Sequence, residues 1–482
     1  MKPQTSATVP LSRPNIAAWV SAHAAGIIAL FVFALTLWPT ALLNDTDTWW
    51  HLAAGDWIVA HTAVPHTDPF SWTFAGKPWV AHEWLSEVVM SRAFATFGWP
   101  GVMLLTAACF AAGIGLMARH AAKHINGLAL WLLVLIGASL FGPHLLARPH
   151  ILVLPVVVLW LSGLVRARAT PPWLILPLMT LWANMHGSFI AGLALIAPFA
   201  LGAILKSDTR PKTALTWAGF SAAAVVAALL TPLGIDGLLF PLKLFTMRNL
   251  DGIGEWAPVA FDKPQPLFIA AAALAFAVWR SRPRITWVRW VVLAGLFAAS
   301  LHQQRHEMLL AVMAVLILAE PLGKAFGSVA KPEPVKLSPG PIAVALILAT
   351  LRLMVPMPSP VTASDPAEAL AHLPARLLQQ RVFNAYDMGG YLIRAGVHPF
   401  IDSRADLYGP AFLDRYAEIA AGNPTIMAAA FDRDGVQWTI LRPGTAMAGA
   451  MDRLPGWRRI HTDATTVVHA RVSRNFVGSH VF

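Results

Sequence analysis

The sequence predicts an α-helical polytopic membrane protein of about eleven spans, followed by a small extracytoplasmic α/β domain. Three observations carry this. First, 56% of residues are hydrophobic and 13% charged, at a mean hydropathy of +0.58, whereas soluble domains carry about 25% charged residues. Second, apolar runs near spanning length recur along the first three quarters of the chain. Third, Lys and Arg fall on alternate loops, as the positive-inside rule requires.

The apolar runs are Ile16–Leu43, Pro100–Met117, Leu128–Phe141, Ile151–Leu164, Trp173–Ala183, Phe189–Leu205, Ala214–Leu230, Leu267–Trp279, Trp287–Leu301, Met308–Leu318 and Pro341–Met354. The first reads as an uncleaved signal anchor, too long for a signal-peptide core. With Lys2 and Arg13 inside, the inner loops receive Arg119 and Lys123, Arg166 and Arg168, Lys206 to Lys212, Arg280 to Arg284, and Lys324 to Lys336. An odd number of spans then sends the C-terminal segment outside. Residues 1–356 form the membrane unit, with 43–98 as a large first outer loop, and 361–482 form the outer domain.

In that outer domain Val382–Phe383, Pro399–Ile401, Trp438–Leu441 and Thr466–Val468 read as strands, and Ala367–Gln380 and Pro410–Ala421 as helices. Their alternation predicts α/β. The net charge of +11 raises nucleic-acid binding, which its distribution excludes. From Val361 to Phe482 there are 12 Arg, no Lys and 11 Asp plus Glu, so the excess lies on the inner loops. The single cysteine, Cys109, sits in an apolar run and reports nothing on redox compartment.

Sorting the polar residues by side gathers the chemistry on one face. The outer side receives Asp45-Thr-Asp47-Thr-Trp-Trp-His51, which opens a helix, then Asp68, and then His82-Glu83. It also receives Arg148-Pro-His150, Asn184-Met-His186, Glu255-Trp256 and His302-Gln-Gln-Arg305-His306-Glu307. Each has a bland reading: Asp45 or Asp47 as helix caps, Arg148 as a lipid-phosphate anchor, His186 as a helix-end residue, His82-Glu83 as an interfacial pair and Glu255 as structural. The His302–Glu307 cluster resists this most, because ionisable groups at a membrane boundary default to function. Carboxylates can deprotonate a hydroxyl or hold a divalent cation, and Arg or His can neutralise a phosphate. A reaction needing both is displacement at a carbon bearing a phosphate leaving group.

Asp45 through Leu52, followed by Pro65-x-x-Asp68-Pro69-Phe70, resembles the first external loop of GT-C membrane glycosyltransferases. It is most similar to that of oligosaccharyltransferase catalytic subunits. The segment Asn384-Ala-Tyr386-Asp387-Met-Gly389-Gly390-Tyr391 faintly resembles their acceptor-recognition motif, keeping the Asp, a Gly and the aromatic neighbourhood without the two tryptophans. The set Trp-Trp-His-Leu, Arg-Pro-His, Asn-x-His-Gly and Gly-Gly-Tyr-Leu with Ile-Asp-x-Arg is similar to bacterial membrane proteins of this class.

The resemblance implies an inverting enzyme of the bacterial inner membrane that takes a polyprenyl-phosphate-linked sugar or glycan and passes it to a glycan, lipid or protein acceptor in the periplasm. It implies Asp47, then Asp45, as base or as ligands of Mg or Mn. Arg305 and Arg148 fall to the phosphate, with His302, His306, His51, His82, Glu83, His150, Asn184, His186, Glu255 and Glu307 as further substrate contacts. The rivals are a transporter of lipid-linked saccharides and a non-catalytic assembly protein for envelope polysaccharide. Asp402 and Arg404 read equally as cleft residues or as an internal salt bridge.

Overall fold

A computed structural model describes residues 16–247, 256–327, 339–357 and 365–472. Each of the eleven apolar runs falls on helix. Four helices are long and apolar enough to cross a membrane by length and composition: Trp84–Ala121, Phe189–Lys206, Arg210–Leu229 and Gln304–Ala325. Shorter apolar helices occupy His23–Thr36, Gly127–Ser139, Leu154–Arg166, Trp173–Met185, Pro266–Ser281, Trp287–His302 and Pro339–Met354. Leu132, Val226, Phe276, Val291 and Leu346 stand exposed on them, a surface suited to hydrocarbon and costly in water. Inside the bundle these helices share one core around Ile114, Trp160, Phe220 and Val315.

Helix Trp84–Ala121 is two helices in series. Gly98 takes φ 62° and ψ −150° between them, ahead of Pro100. The first part belongs to the segment 43–98 expected as the first long loop. It packs against helix Asp47–His61, where a Cβ on Gly55 would lie 2.1 Å from the Glu87 carbonyl oxygen.

The C-terminal part holds a four-stranded sheet of order β1-β2-β4-β3, from β1 (Val382–Asn384), β2 (Trp438–Leu441), β3 (Trp457–Thr462) and β4 (Val467–Arg471). Strands β1 and β2 run parallel, and the other pairs antiparallel. Pro399–Ile401 is not a strand: Asn384 takes its backbone out of any ladder, accepting from the Phe400 amide at 2.8 Å and donating to the Ile401 carbonyl at 2.8 Å. The helix expected over 367–380 is broken into Ala367–His372 and Ala375–Leu378 by Pro374. Strand β3 and helix Pro424–Asp434 went unanticipated.

This part shares a core with the first long loop. Trp50, Ala54, Trp79 and Ala81 pack with Phe383, Phe400, Ile401 and Tyr408. The Trp72 indole donates to the Val382 carbonyl at 3.0 Å and the Thr73 hydroxyl to the Phe400 carbonyl at 2.6 Å. Gly389 and Gly390 make the approach feasible. A Cβ on the first would meet the Ile401 carbonyl oxygen at 2.3 Å, and on the second the Thr46 carbonyl oxygen at 2.5 Å.

Candidate active site

The first corner is built where helix Asp47–His61 begins. Asp45 accepts from the Asp47 amide at 3.2 Å, satisfying an end-of-helix donor. The Thr48 hydroxyl donates to the Ala147 carbonyl at 3.1 Å, and the Ala147 amide to the Leu42 carbonyl at 2.8 Å. Arg148 is thereby seated against both acids. Its Nη2 lies 2.6 Å from Asp45 Oδ1 and 2.9 Å from Asp47 Oδ2, and its Nε donates to Asp45 Oδ2. The two carboxylates thus divide the work: Asp45 is buried and holds the corner, while Asp47 lines a cavity of about 560 Å³. Asp45 and Asp47, both expected as possible metal ligands, each pair with Arg148. Arg148 supplies the positive charge expected of an ion there.

Glu83 forms the second corner, with His186 Nε2 at 3.3 Å, His82 Nε2 at 3.8 Å and His51 Nε2 at 4.0 Å. Behind it Glu87 Oε1 lies 3.3 Å from His51 Nδ1, and Glu87 Oε2 is buried with no hydrogen-bond partner. Among the described residues, His51, Glu83 and Glu87 form a group whose ligand atoms all lie within 4.8 Å of one another. Burial, reinforced by Arg148, holds the His51 imidazole well below its usual range, and burial lowers His82 to about 4. Both are neutral at pH 7, as ligands or hydrogen-bond acceptors must be.

Asp47, His51, His82, Glu83, Arg148, His150, His186, Arg305 and His306 all line the one cavity. Five stretches far apart in sequence converge on it. Arg305 lies with its guanidinium carbon 3.9 Å from the centre of the Trp256 ring, which fixes a cation at the wall.

Other expected residues do not reach the cavity. The Asn184 side chain accepts from the Trp84 indole at 2.9 Å and donates to the Thr180 and Leu230 carbonyls, tying helices together. His302 is exposed. Glu307 is buried 3.6 Å from His144 and is screened from the cavity by that histidine, which lines it instead. Glu255 lies outside the described residues.

The roof comes from two segments that the sequence singled out but did not join to this site. Tyr386, Asp387, Ser403, Arg404, Ala405 and Asp406 line the cavity from the C-terminal part. Arg404 is fully buried between Asp402 (Nη2–Oδ2 2.7 Å) and Asp68 (Nη1–Oδ1 2.9 Å), with Tyr408 donating to Asp402 at 2.6 Å. Burial alone would lower the guanidinium pKa. Asp402 and Asp68 outweigh it and raise that value well above the usual one. Burial also pushes the Asp406 carboxyl up to about 6, against the pull of Arg404. Asp402 and Arg404 form the buried salt bridge that one reading expected, and Arg404 also lines the cavity, as the other expected. The Trp50 indole and the Ser403 hydroxyl are buried with no hydrogen-bond partner among the described residues. The cavity also has apolar lining from Val153, Leu154, Val157, Ile190, Leu309 and Val312.

No protein-family profile and no curated protein sequence matches this chain. Solved structures do. The crystal structure of the Archaeoglobus fulgidus oligosaccharyltransferase in the apo form matches at TM-score 0.57 and 12% identity, over 96% of this chain and 75% of that one. The archaeal oligosaccharyltransferase AglB in complex with an inhibitory peptide and a dolichol-phosphate matches at TM-score 0.56 and 14% identity, over 94% and 74%. ArnT from Cupriavidus metallidurans bound to undecaprenyl phosphate matches at TM-score 0.52 and 14% identity, over 95% and 98%. The chain has the GT-C fold.

Proposed function

We propose that this protein is an inverting glycosyltransferase. It moves a sugar or glycan from a polyprenyl-phosphate-linked donor to an envelope acceptor at the periplasmic side of the bacterial inner membrane. One observation carries the reading: a carboxylate, Asp47, and two guanidinium groups, Arg148 and Arg305, line the same cavity as a set of aliphatic side chains. That combination fits a ligand with a phosphate head and a hydrocarbon tail. Structures of similar fold were solved with dolichol-phosphate and with undecaprenyl phosphate. Eleven spans would place the cavity outside, as the charge of the inner loops requires.

The acceptor hydroxyl oxygen attacks the anomeric carbon from the face opposite the phosphate. Asp47 takes the hydroxyl proton as the new C–O bond forms. The bond from the anomeric carbon to the phosphate oxygen breaks, and its electron pair leaves on the phosphate. Arg148 and Arg305 stabilise that charge, usually the largest catalytic contribution. The partly buried site strengthens it further.

The test is transfer by the purified full-length protein in lipid nanodiscs, given a polyprenyl-phosphate-linked sugar and envelope extract as acceptor. Asp47→Asn should lower transfer by about 10²–10⁴-fold at unchanged expression and melting temperature. Undiminished transfer by that variant removes the mechanism. Movement of the donor between leaflets with no transfer by the unmodified protein makes it a transporter.

A further inference from the structure

We propose that the end of the helix bundle opposite the cavity binds the headgroup phosphate of an anionic phospholipid, between Arg119, Lys123, Arg166 and Arg168. The helices that build the cavity carry this site at their far ends. Helix Leu154–Arg166 starts among cavity residues and ends on Arg166, and helix Gln304–Ala325 starts with Gln304 and Arg305 and ends with Glu320 and Lys324. At about 1.5 Å per residue, those ends lie roughly 20–30 Å from the cavity. Helix Trp84–Ala121 brings Arg119, with Lys123 on the turn beyond it, and helix Trp287–His302 brings Arg289. Gly323 lets that turn close on helix Gln304–Ala325, since a Cβ there would lie 1.9 Å from the His124 carbonyl oxygen.

The charges do not balance. Glu320 is the carboxylate of the group, with Lys324 at 2.7 Å and Arg289 at 3.6 Å, and Arg289 also donates to the Val165 carbonyl at 3.3 Å. Arg119, Lys123, Arg166 and Arg168 form no ion pair among the described residues. They are crowded all the same. Burial, then Arg166 and Arg119, hold the Lys123 ammonium below its ordinary pKa, and Arg168 lies within electrostatic reach of Arg289. Like charges gathered from separate helices repel, and a phosphate among them turns that repulsion into attraction. Guanidinium groups match phosphate oxygens in geometry as well as charge.

The surroundings point to a lipid as the source of the phosphate. Trp287 and Trp290 flank Arg289 in sequence, and both are exposed. Trp173 and Leu174 are exposed beside the end of helix Leu154–Arg166, where Ile175 packs on Gly163, and Leu128 is exposed where the next helix begins. Tryptophan with Lys and Arg marks the headgroup level of a bilayer, and basic pockets between spans there suit acidic headgroups. A headgroup held by the cations would lay its acyl chains on this apolar surface, which a soluble phosphate could not use. The proposal does not rest on the glycosyl-transfer reading.

Native mass spectrometry and thermal melting of the full-length protein in detergent test this, with dioleoylphosphatidylglycerol, dioleoylphosphatidylcholine or inorganic phosphate added. Phosphatidylglycerol should bind and raise the melting temperature, and the other two at equal concentration should not. Two double variants, Arg119→Gln with Lys123→Gln and Arg166→Gln with Arg168→Gln, should each bind it about 20–30-fold more weakly. Either pair suffices should the other fail to fold. Arg210→Gln with Lys212→Gln, two cations outside the cluster, should leave binding unchanged. Glu320→Gln frees Arg289 and Lys324 and should tighten binding about 5-fold. An equal loss in the Arg210 and Lys212 pair would reduce the site to diffuse attraction and overturn the proposal. So would phosphatidylcholine binding as well as phosphatidylglycerol. Stabilisation by inorganic phosphate equal to that by the lipid would make this a site for a soluble anion and equally overturn it.

Discussion

Two clusters in this molecule have the same composition, an arginine between two aspartates, and opposite duties. Asp68–Arg404–Asp402 is sealed, its three side chains 0–1% exposed. Asp45–Arg148–Asp47 is sealed at one end only, with Asp45 at 4%, Arg148 at 19% and Asp47 at 16%. In the first, the charges pin the C-terminal part onto the first long loop, and only the edge of Arg404 touches the cavity. In the second, Asp45 and the helix start position Arg148 and Asp47 at a cavity wall. The difference teaches that the motif does not decide function. What decides it is whether a charged atom is left facing space that a substrate can enter.

The comparison breaks most sharply in the sealed cluster. Arg404→Met strands two buried carboxylates and should cost about 3–5 kcal/mol, read as a large drop in melting temperature. Adding Asp68→Asn and Asp402→Asn should restore much of it. Arg148→Met should lower transfer by about 10²–10³-fold with a much smaller fall in melting temperature. Equal losses of stability at Arg148 and Arg404 would erase the distinction.

Asp406 sharpens it further. Its folded-state pKa of about 6 stands above the ordinary 3.8, so the folded protein binds the extra proton between those values. The benefit is complete below 3.8 and is lost as pH rises through 6. Asp406→Asn should therefore stabilise the protein at pH 7.5, by up to about 3 kcal/mol, and the gain should vanish toward pH 4. A gain independent of pH would contradict the burial argument. The smallest effect belongs to the junction of the two regions. Gly390→Ala drives a methyl group into the Thr46 carbonyl and should cost about 1–3 kcal/mol in thermal melting, with reduced transfer. An unchanged melting temperature would mean that the two parts are not rigidly docked.

Much of this was legible in the sequence. Apolar runs locate the helices because lipid-facing residues must be apolar through most of a turn. The acids, Arg148, Arg305 and five of the histidines that line the cavity stood out because charge at a membrane boundary is expensive. The rest was hidden for physical reasons. Glu87 sits in ordinary helical sequence, and only the approach permitted by Gly55 gives it His51 as a neighbour. Asn184 looked functional beside His186, yet its amide is spent on helix packing. The segment holding Ser403 and Asp406 read as cleft or salt bridge alike, and only the fold, with Asn384 holding Phe400 and Ile401, puts it on the cavity. Local patterning reveals expensive residues, but not which of them long-range packing neutralises.

The most direct measurement is a structure of the protein in lipid nanodiscs with a polyprenyl phosphate. The phosphate should sit within hydrogen-bond reach of Arg148 or Arg305, with the isoprenoid chain along Val153, Val157 and Leu309. A phosphate bound at the opposite end of the helix bundle, or lipid absent from this cavity when occupied elsewhere, would contradict the account.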